Sequence, residues 1–228
     1  METNSNQQVL AVPAQDSAWL YKQRKFYDDN ASNLLSFALD HGRFVDRKWA
    51  EKTKGVKQLI GCAIIANGHK ILCARRARKN SRSALALRWT MMFGGHVDEL
   101  DRDAKNPIVN CILREIAEEL GVYPDSEPEF LGLAVDPATD VGRHHIGVVF
   151  LVRTNIAHVV VHRGLDSAEF VNSKKRHFLH FRDSNEIVRL LRAGKLDPWS
   201  ELFFSSEKAE KLMNLTYRSQ SELDLIWC

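Results

Sequence analysis

Hydrophobic residues follow two periods along the chain, and each period predicts a different type of element. The segments "KQLIGCAIIA" and "HKILCARRA" are apolar runs on either side of Asn67-Gly68, a dipeptide typical of a tight hairpin turn. Further along, "EFLGLAVD", "HHIGVVFLVRT", "AHVVVHR" and "HFLHFR" have the character of strands. The pattern therefore predicts a sheet that begins with a hairpin.

Helical patterns occur on both sides of these strands. "NLLSFALDHG" ends at Gly42, "FVDRKWAEK" predicts a second short helix, and "SNEIVRLLRAG" and "PWSELFFSSEKAEKLMNL" predict helices near the end of the chain. Strands mixed with helices indicate an α/β fold with a mixed sheet. We expect residues 1–52 to form a partly helical N-terminal extension that packs on a main domain of residues 53–228.

The strongest helical prediction lies in the middle of the chain, over residues 107–120. Asn106 suits the N-cap, Pro107 the first helical position, and Gly121 the position just past the end. One apolar stripe is predicted for this helix, and it consists of Val109, Leu113, Ile116 and Leu120.

Three carboxylates share another face of this helix. Glu115, Glu118 and Glu119 recur at i, i+3 and i+4, so they repel one another unless something compensates the charge. Arg114 is one turn from Glu118 and can pair with it. A solvated acidic face is one interpretation of the cluster. The other is a site for a hard divalent cation such as Mg²⁺, which binds carboxylate oxygens. The glycine-bearing loop just upstream, "MMFGGHVDELDRDAKNP", favours the second.

Composition narrows the class of protein. The chain of 228 residues is 44% hydrophobic, and its net charge of +3 argues against a dedicated nucleic-acid or membrane binder. The start lacks the basic and apolar regions of a signal peptide, and we find no apolar run long enough to span a membrane. The four cysteines show no C-x-x-C spacing, which argues against a zinc site or disulfide framework. We therefore expect a cytoplasmic protein.

The central helix and the loop before it resemble a known sequence signature. Gly95 together with "REIAEELGV" at 114–122 is similar to the Nudix box, G-x5-E-x7-R-E-U-x-E-E-x-G-U, with U aliphatic. Two features depart from it. The box glutamate falls on Asp101, with Asp98, Glu99 and Asp103 as alternative acids. Gly95 and Arg114 are 19 positions apart in this chain, against 14 in the box.

The resemblance covers about residues 58–204 and implies a Nudix-type α/β/α sandwich. "GLAVDPATDVGRHHIGVVFLV" and "DPWSELF" are similar to a branch of predicted phosphoesterases in that family. The family implies that a pyrophosphate bond in a nucleoside diphosphate linked to another group is hydrolysed with Mg²⁺, for which Mn²⁺ can substitute. It implies Glu115, Glu118, Glu119 and the carbonyl of Gly95 (or its neighbour Gly94) as metal ligands. Arg114 would orient a glutamate.

Other residues are candidates for substrate binding or proton transfer. In the basic run 75–88, Arg76 and Arg78 are the candidates for phosphate binding, although the run also suits a surface loop. His96 and His145 are candidates for substrate contacts. Glu118, an acid of the loop and Glu169 are the candidates for the general base. We assign the aromatic residues Trp89, Phe93 and Trp199 to packing.

Two other functions are compatible with the sequence. The altered first half of the box would suit a nucleotide-sensing or regulatory module that binds its ligand without turnover. The same fold also serves isomerases of isoprenoid diphosphates, but Cys111 lies within the helix and gives that function little support. The N-terminal extension either covers the site or builds a homodimer.

Overall fold

The computed structural model describes residues 7–13, 23–29, 31–76, 87–157, 159 and 179–213. The segment "AHVVVHR", predicted as a strand, lies largely outside these ranges. Within them no helix is both long and apolar enough to cross a membrane.

The described residues form ten strands and six α-helices, with one short 3-10 helix before α3. The strands are β1 Gln8–Pro13, β2 Lys25–Tyr27, β3 Arg43–Asp46, β4 Val56–Asn67, β5 Lys70–Arg75, β6 Trp89–Thr90, β7 Phe93–His96, β8 Glu129–Val135, β9 His145–Arg153 and β10 Leu179–Arg182. The helices are α1 Ala31–His41, α2 Arg47–Lys52, α3 Pro107–Leu120, α4 Ser184–Arg192, α5 Pro198–Phe204 and α6 Glu207–Met213, and the 3-10 helix is Glu99–Asp101.

The strands form one mixed sheet, organised around β4. The main path runs β10-β5-β4-β9-β8-β2. β4 pairs in parallel with β9 along one edge, while its other edge pairs antiparallel with β1, β7 and β5 in turn. The predicted hairpin joins β4 to β5 and is confirmed, but its turn residues are Gly68 and His69, because Asn67 is the last residue of β4 and pairs with Lys70.

Helices cover both faces of the sheet. On one face α1 and α3 bury residues such as Leu34, Ile112 and Ile116 against the sheet. On the other, α4, α5 and α6 bury residues such as Ile187 and Phe203. Burial of a Leu, Ile or Phe side chain contributes roughly 1.5–3 kcal/mol, so these two cores hold the layers together. The predicted α/β/α sandwich is confirmed.

The central helix has the predicted bounds but a different buried stripe. α3 spans Pro107–Leu120, and the Asn106 side chain accepts from the backbone N–H groups of the first turn. Ile108, Cys111 and Ile112 are fully buried, whereas Val109 and Leu113 are only partly buried. The buried face of α3 is therefore rotated about the helix axis relative to the predicted stripe. We attribute this rotation to the close approach of α3 to β4. A Cβ on Gly61 of β4 would lie 3.0 Å from Ile112 Cγ1.

The N-terminal extension contains strands as well as the predicted helices. α1 overlaps the first predicted helical segment but begins two residues earlier, at Ala31. α2 falls within the second but begins only at Arg47, because the residues before it form β3. β1 pairs with β3 and β4, and β2 pairs with β8. Short strands of this kind have no strong alternation in the sequence. The boundary between 52 and 53 stays a prediction.

Candidate active site

A cavity of about 400 Å³ opens over β4 and β7. Its floor includes Ile60 and Cys62, which alternate on β4 and face away from α3. The described residues around the cavity come from both ends of the chain as well as the centre. They are Gln7, Arg47, Ile60, Cys62, Arg76, Thr90, Met92, Phe93, Gly94, Gly95, His96, Asp98, Glu115, Glu119, Thr139, Val141, His145, Asp197, Pro198 and Trp199.

The acidic wall of the cavity is formed by α3 and the loop before it. Glu115, Glu119 and Asp98 line it together with Gly94 and Gly95. Glu118 does not line the cavity: its side chain is 61% exposed and its carboxylate is 3.7 Å from Arg114. The structure therefore brings two of the three predicted carboxylates together, and the proposed metal role of the third stays a prediction.

Arg114 is held by an acid upstream of the helix. Its Nη1 donates to Glu115 Oε1 at 2.8 Å and its Nη2 donates to Asp101 Oδ2 at 3.0 Å. Desolvation lowers the pKa of Arg114, but the hydrogen bond to Asp101 and the charges of Glu115 and Asp101 outweigh it, so the net pKa is raised. Arg114 thus contacts Glu115, and the role of orienting a glutamate stays a prediction.

The structure shows which of the four candidate acids of the altered box pairs most closely with Arg114. Asp101 is fully buried and ends the 3-10 helix, which places its carboxylate against Arg114. Of the alternative acids, Glu99 pairs with Arg102, Asp103 is exposed, and Asp98 lies 3.8 Å from Arg114. The acid opposite Arg114 is therefore at the box position, and the extra residues lie between it and α3.

Glu115 faces the cavity in a desolvated setting. Burial raises the pKa of its carboxyl group, and the charge and hydrogen bond of Arg114 partly oppose this. The carboxylate also lies directly against Gly95, because a Cβ at that position would be 2.5 Å from Glu115 Oε1. Only a residue without a side chain allows β7 and Glu115 to come this close.

The oxygen donors on this wall are of the chemical type that binds Mg²⁺. Carboxylate and carbonyl oxygens are the ligands that Mg²⁺ prefers. The desolvated Glu115 carboxylate has one cationic partner, Arg114, and a second cation would stabilise its charged form. Within the described ranges, no three His, Cys, Asp or Glu side chains converge as a metal cluster. The Gly95 carbonyl oxygen is 3.5 Å from Cys111 Sγ, which donates to it. Glu115, Glu119 and Gly95 therefore fit the ion by chemistry.

His96 and His145 both line the cavity and lie against each other. Their Nε2 atoms are 3.3 Å apart, and His145 Nδ1 lies 2.7 Å from the Val141 carbonyl oxygen. A carbonyl only accepts, so His145 Nδ1 carries the proton, and His96 Nε2–H donates to His145 Nε2. Burial lowers the pKa of both rings, that of His96 to about 3, and nearby positive charge including Arg47 adds to this. Both imidazoles are neutral at pH 7.

Of the two predicted phosphate-binding arginines, one can be placed. Arg76 lines the cavity, and its Nε is 3.8 Å from Asp197 Oδ2, a carboxylate that is nearly fully buried. Arg78 lies outside the described residues, as does Glu169, one of the candidates for the general base.

Several residues around the cavity were missed by sequence reasoning. Trp199, assigned to packing, does pack against Gly147, where a Cβ would be 3.1 Å from its ring, but it also lines the cavity. Trp89 is in the core, as predicted, while Phe93 is buried and reaches the cavity from below. Gln7 and Arg47 give no local signal, because their position depends on the pairing of β1 with β3 and β4.

The three cysteines within the described ranges do not offer a reactive thiolate. Burial is the largest cause that raises the pKa of Cys62 and Cys73 to about 12, and it also raises the pKa of Cys111. All three are free thiols. A catalytic role for Cys111, as in an isomerase, gains no support.

The sandwich and its acidic helix define a class of hydrolase fold, and comparison with known proteins identifies the family. Residues 57–187 match the family model for the NUDIX domain. This is more than half of the 228 residues, and the chain belongs to the Nudix family.

The chain is also similar to several solved structures. Tm1382, a candidate Nudix hydrolase, superposes with a TM-score of 0.63 at 26% identity, over 91% of this chain and 98% of that chain. The MutT protein of Methanosarcina mazei Go1 gives a TM-score of 0.48 at 20% identity, over 68% and 95% of the two chains. The MutT NUDIX hydrolase of Burkholderia pseudomallei gives 0.39 at 23% identity, over 55% and 81%. None of the curated proteins matches this sequence.

Proposed function

We propose that this protein is a metal-dependent hydrolase that splits a pyrophosphate bond in a nucleoside diphosphate linked to another group. Membership of the Nudix family supports pyrophosphate hydrolysis in general. The observation that carries the proposal is that Glu115 and Glu119 line one cavity, with Glu115 hydrogen-bonded to Arg114. Mg²⁺ is the expected cofactor and Mn²⁺ a substitute.

In the proposed reaction, a water oxygen forms a bond to one phosphorus while the bridging P–O bond breaks, and each half leaves as a phosphate-bearing product. When bound, Mg²⁺ would supply positive charge against the phosphate oxygens and make the attacking water more acidic. Glu115, Glu119 and the Gly95 carbonyl would hold the ion. Arg114 would keep Glu115 ionised and correctly turned.

The proton of the attacking water needs an acceptor. Of the candidate bases, Asp98 lines the cavity, whereas Glu118 is mostly exposed outside it. This favours the acid of the loop over Glu118. On the substrate side, Arg76 and the neutral pair His96 and His145 would contact the phosphates and the rest of the nucleotide. A homodimer and a cytoplasmic location remain expectations.

A substrate panel with a set of variants tests the proposal. Nucleoside triphosphates, dinucleoside polyphosphates, ADP-ribose, NAD and nucleotide sugars would be incubated with Mg²⁺ or Mn²⁺, and release of monophosphate measured. Glu119→Gln should lower kcat by at least ten- to a hundredfold because an ion ligand is lost. Glu118→Gln, a matched change one residue away, should have a smaller effect. Full activity of Glu119→Gln, with a normal melting transition, would show the metal assignment to be wrong.

A nucleotide-sensing module without turnover is the alternative. It is favoured by one observation, namely that the described carboxylates do not converge as a metal cluster. Calorimetry would decide between the two functions. Tight binding of a nucleotide with no product after several hours would support the sensing module and contradict the hydrolase.

A further inference from the structure

The N-terminal extension contributes side chains to the cavity from outside the family-matched residues. β1 pairs with β4 at Ala11 and Gln58, and the backbone N–H of Leu10 donates to the Val97 carbonyl at 2.8 Å. On its other edge β4 pairs with β9, and there Gln58 lies opposite His145. This pairing places the start of β1 and the first turn of α2 at the end of the cavity that contains His96 and His145. Gln7 and Arg47 line the cavity there.

The Arg47 side chain is held in place by its neighbours. Its backbone N–H donates to the Gln7 carbonyl at 2.9 Å, and its Nη1 donates to Gln7 Oε1 at 2.9 Å. Its Nε donates to Glu51 Oε1 at 3.1 Å. Nη2 makes no hydrogen bond with any described residue, and the side chain is 36% exposed. One edge of the guanidinium is therefore fixed and the other is open.

The charge of Arg47 is poorly compensated on the cavity side. Its partner Glu51 does not line the cavity and is 47% exposed, so water screens the pair. His96 and His145, the titratable groups beside it, are hydrogen-bonded to each other. Arg76 differs, because the buried carboxylate of Asp197 lies 3.8 Å away. The acids of α3 lie on the other wall.

We propose that Arg47 binds a phosphate group of the ligand, so that the N-terminal extension forms part of the substrate site. A guanidinium presents parallel N–H donors that match a phosphate, and its positive charge complements the anion. The inference rests on the proposed function for the identity of the ligand as a substrate. It assigns the extension a role in recognition, which the sequence left open between covering the site and building a dimer.

Binding of methylenediphosphonate, a pyrophosphate analogue whose P–C–P linkage resists hydrolysis, tests this in the full-length protein. Calorimetry with Mg²⁺ present would give Kd for wild type and three variants. Arg47→Gln should raise Kd about tenfold, since a charge-assisted hydrogen bond is lost. Lys48→Gln removes the same charge from the exposed neighbouring position and should leave Kd within about twofold. Glu51→Gln should lower Kd, because it releases Arg47 from its competing partner.

The opposite signs of two variants guard against misfolding as an explanation, since a damaged fold cannot tighten binding. Equal Kd values for Arg47→Gln and Lys48→Gln, or no binding to wild type, would overturn the inference. The hydrolysis panel separates it from the proposed function. If no nucleotide is split while Kd depends on Arg47, the hydrolase proposal fails and the phosphate site stands. If nucleotide is split equally well by Arg47→Gln, the inference fails alone.

Discussion

At the residue scale, Asp101 is the side chain on which the geometry of the acidic wall depends. Its carboxylate accepts from Asn110 Nδ2 at 2.9 Å, from Arg114 Nη2 at 3.0 Å and from the backbone N–H of Asp98 at 3.1 Å. It therefore ties the loop to two positions on α3. All three donors contact one buried carboxylate, and Arg114 is its ion-pair partner.

We predict that Asp101→Asn lowers both stability and activity. The amide has the same shape but no charge, so Arg114 loses the buried partner of an ion pair and the free energy of unfolding should fall by about 3 kcal/mol. Activity should fall with it, since Arg114 is proposed to orient Glu115. Urea unfolding and kcat measure the two effects. Glu99→Gln is the matched control, because Glu99 pairs with Arg102 at the surface. If both variants unfold at the same urea concentration, Asp101 does not brace the site.

At the element scale, the approach of β7 to α3 determines where the Glu115 carboxylate lies. Gly95 and Gly94 are neighbours on β7 but meet different obstacles. A Cβ on Gly95 would meet the mobile end of the Glu115 side chain at 2.5 Å. A Cβ on Gly94 would lie 2.0 Å from the Gly61 carbonyl oxygen, and Gly94 has a φ of 140°. The first conflict can be relieved by a side-chain rotation, whereas the second requires the backbone to move.

These two glycines should therefore respond differently to alanine. Gly95→Ala should keep the free energy of unfolding within about 1 kcal/mol, because Glu115 can turn away, but should lower kcat at least about tenfold. Gly94→Ala should lose several kcal/mol of stability, because a positive φ and a backbone clash are both unfavourable. Thermal unfolding and the phosphate-release assay on both variants measure this. A Gly95→Ala protein with full activity would mean that the position of Glu115 is not important.

How much could be predicted from the sequence depended on how local the signal was. The bounds of α3 were predictable because Asn106, Pro107 and Gly121 act on adjacent backbone groups. The hairpin between β4 and β5 was predictable for the same reason, although its turn is formed by Gly68 and His69. The prediction of the buried face of α3 was only partly right, because the contact of α3 with Gly61 of β4 is not local in sequence. No local pattern marks Arg47, whose place in the cavity is set by strand pairing.

At the scale of the whole molecule, the sheet is built from both the N-terminal extension and the family-matched residues. β1 covers the β4 edge at Val56–Gln58, and the bridge between Val9 and Asp98 joins it to the loop of the acidic wall. The extension also supplies core residues, such as Leu10 from β1 and Leu34 from α1. The same packing that completes the core brings Arg47 to the cavity, so the recognition role proposed for Arg47 depends on the folding of the extension.

We therefore predict that a chain of residues 53–228 does not fold on its own. It would lack the buried residues of β1 and α1 and would leave part of the β4 edge unpaired, which favours aggregation.

A milder test of the same point is Leu10→Ala. This change should lower the free energy of unfolding by about 2–4 kcal/mol, because Leu10 is nearly fully buried. Gln8→Ala, on the same strand but only partly buried, should cost less than about 1 kcal/mol. Calorimetric unfolding measures all three. If residues 53–228 show a cooperative transition near that of the full chain, the extension is not required for stable folding of the rest.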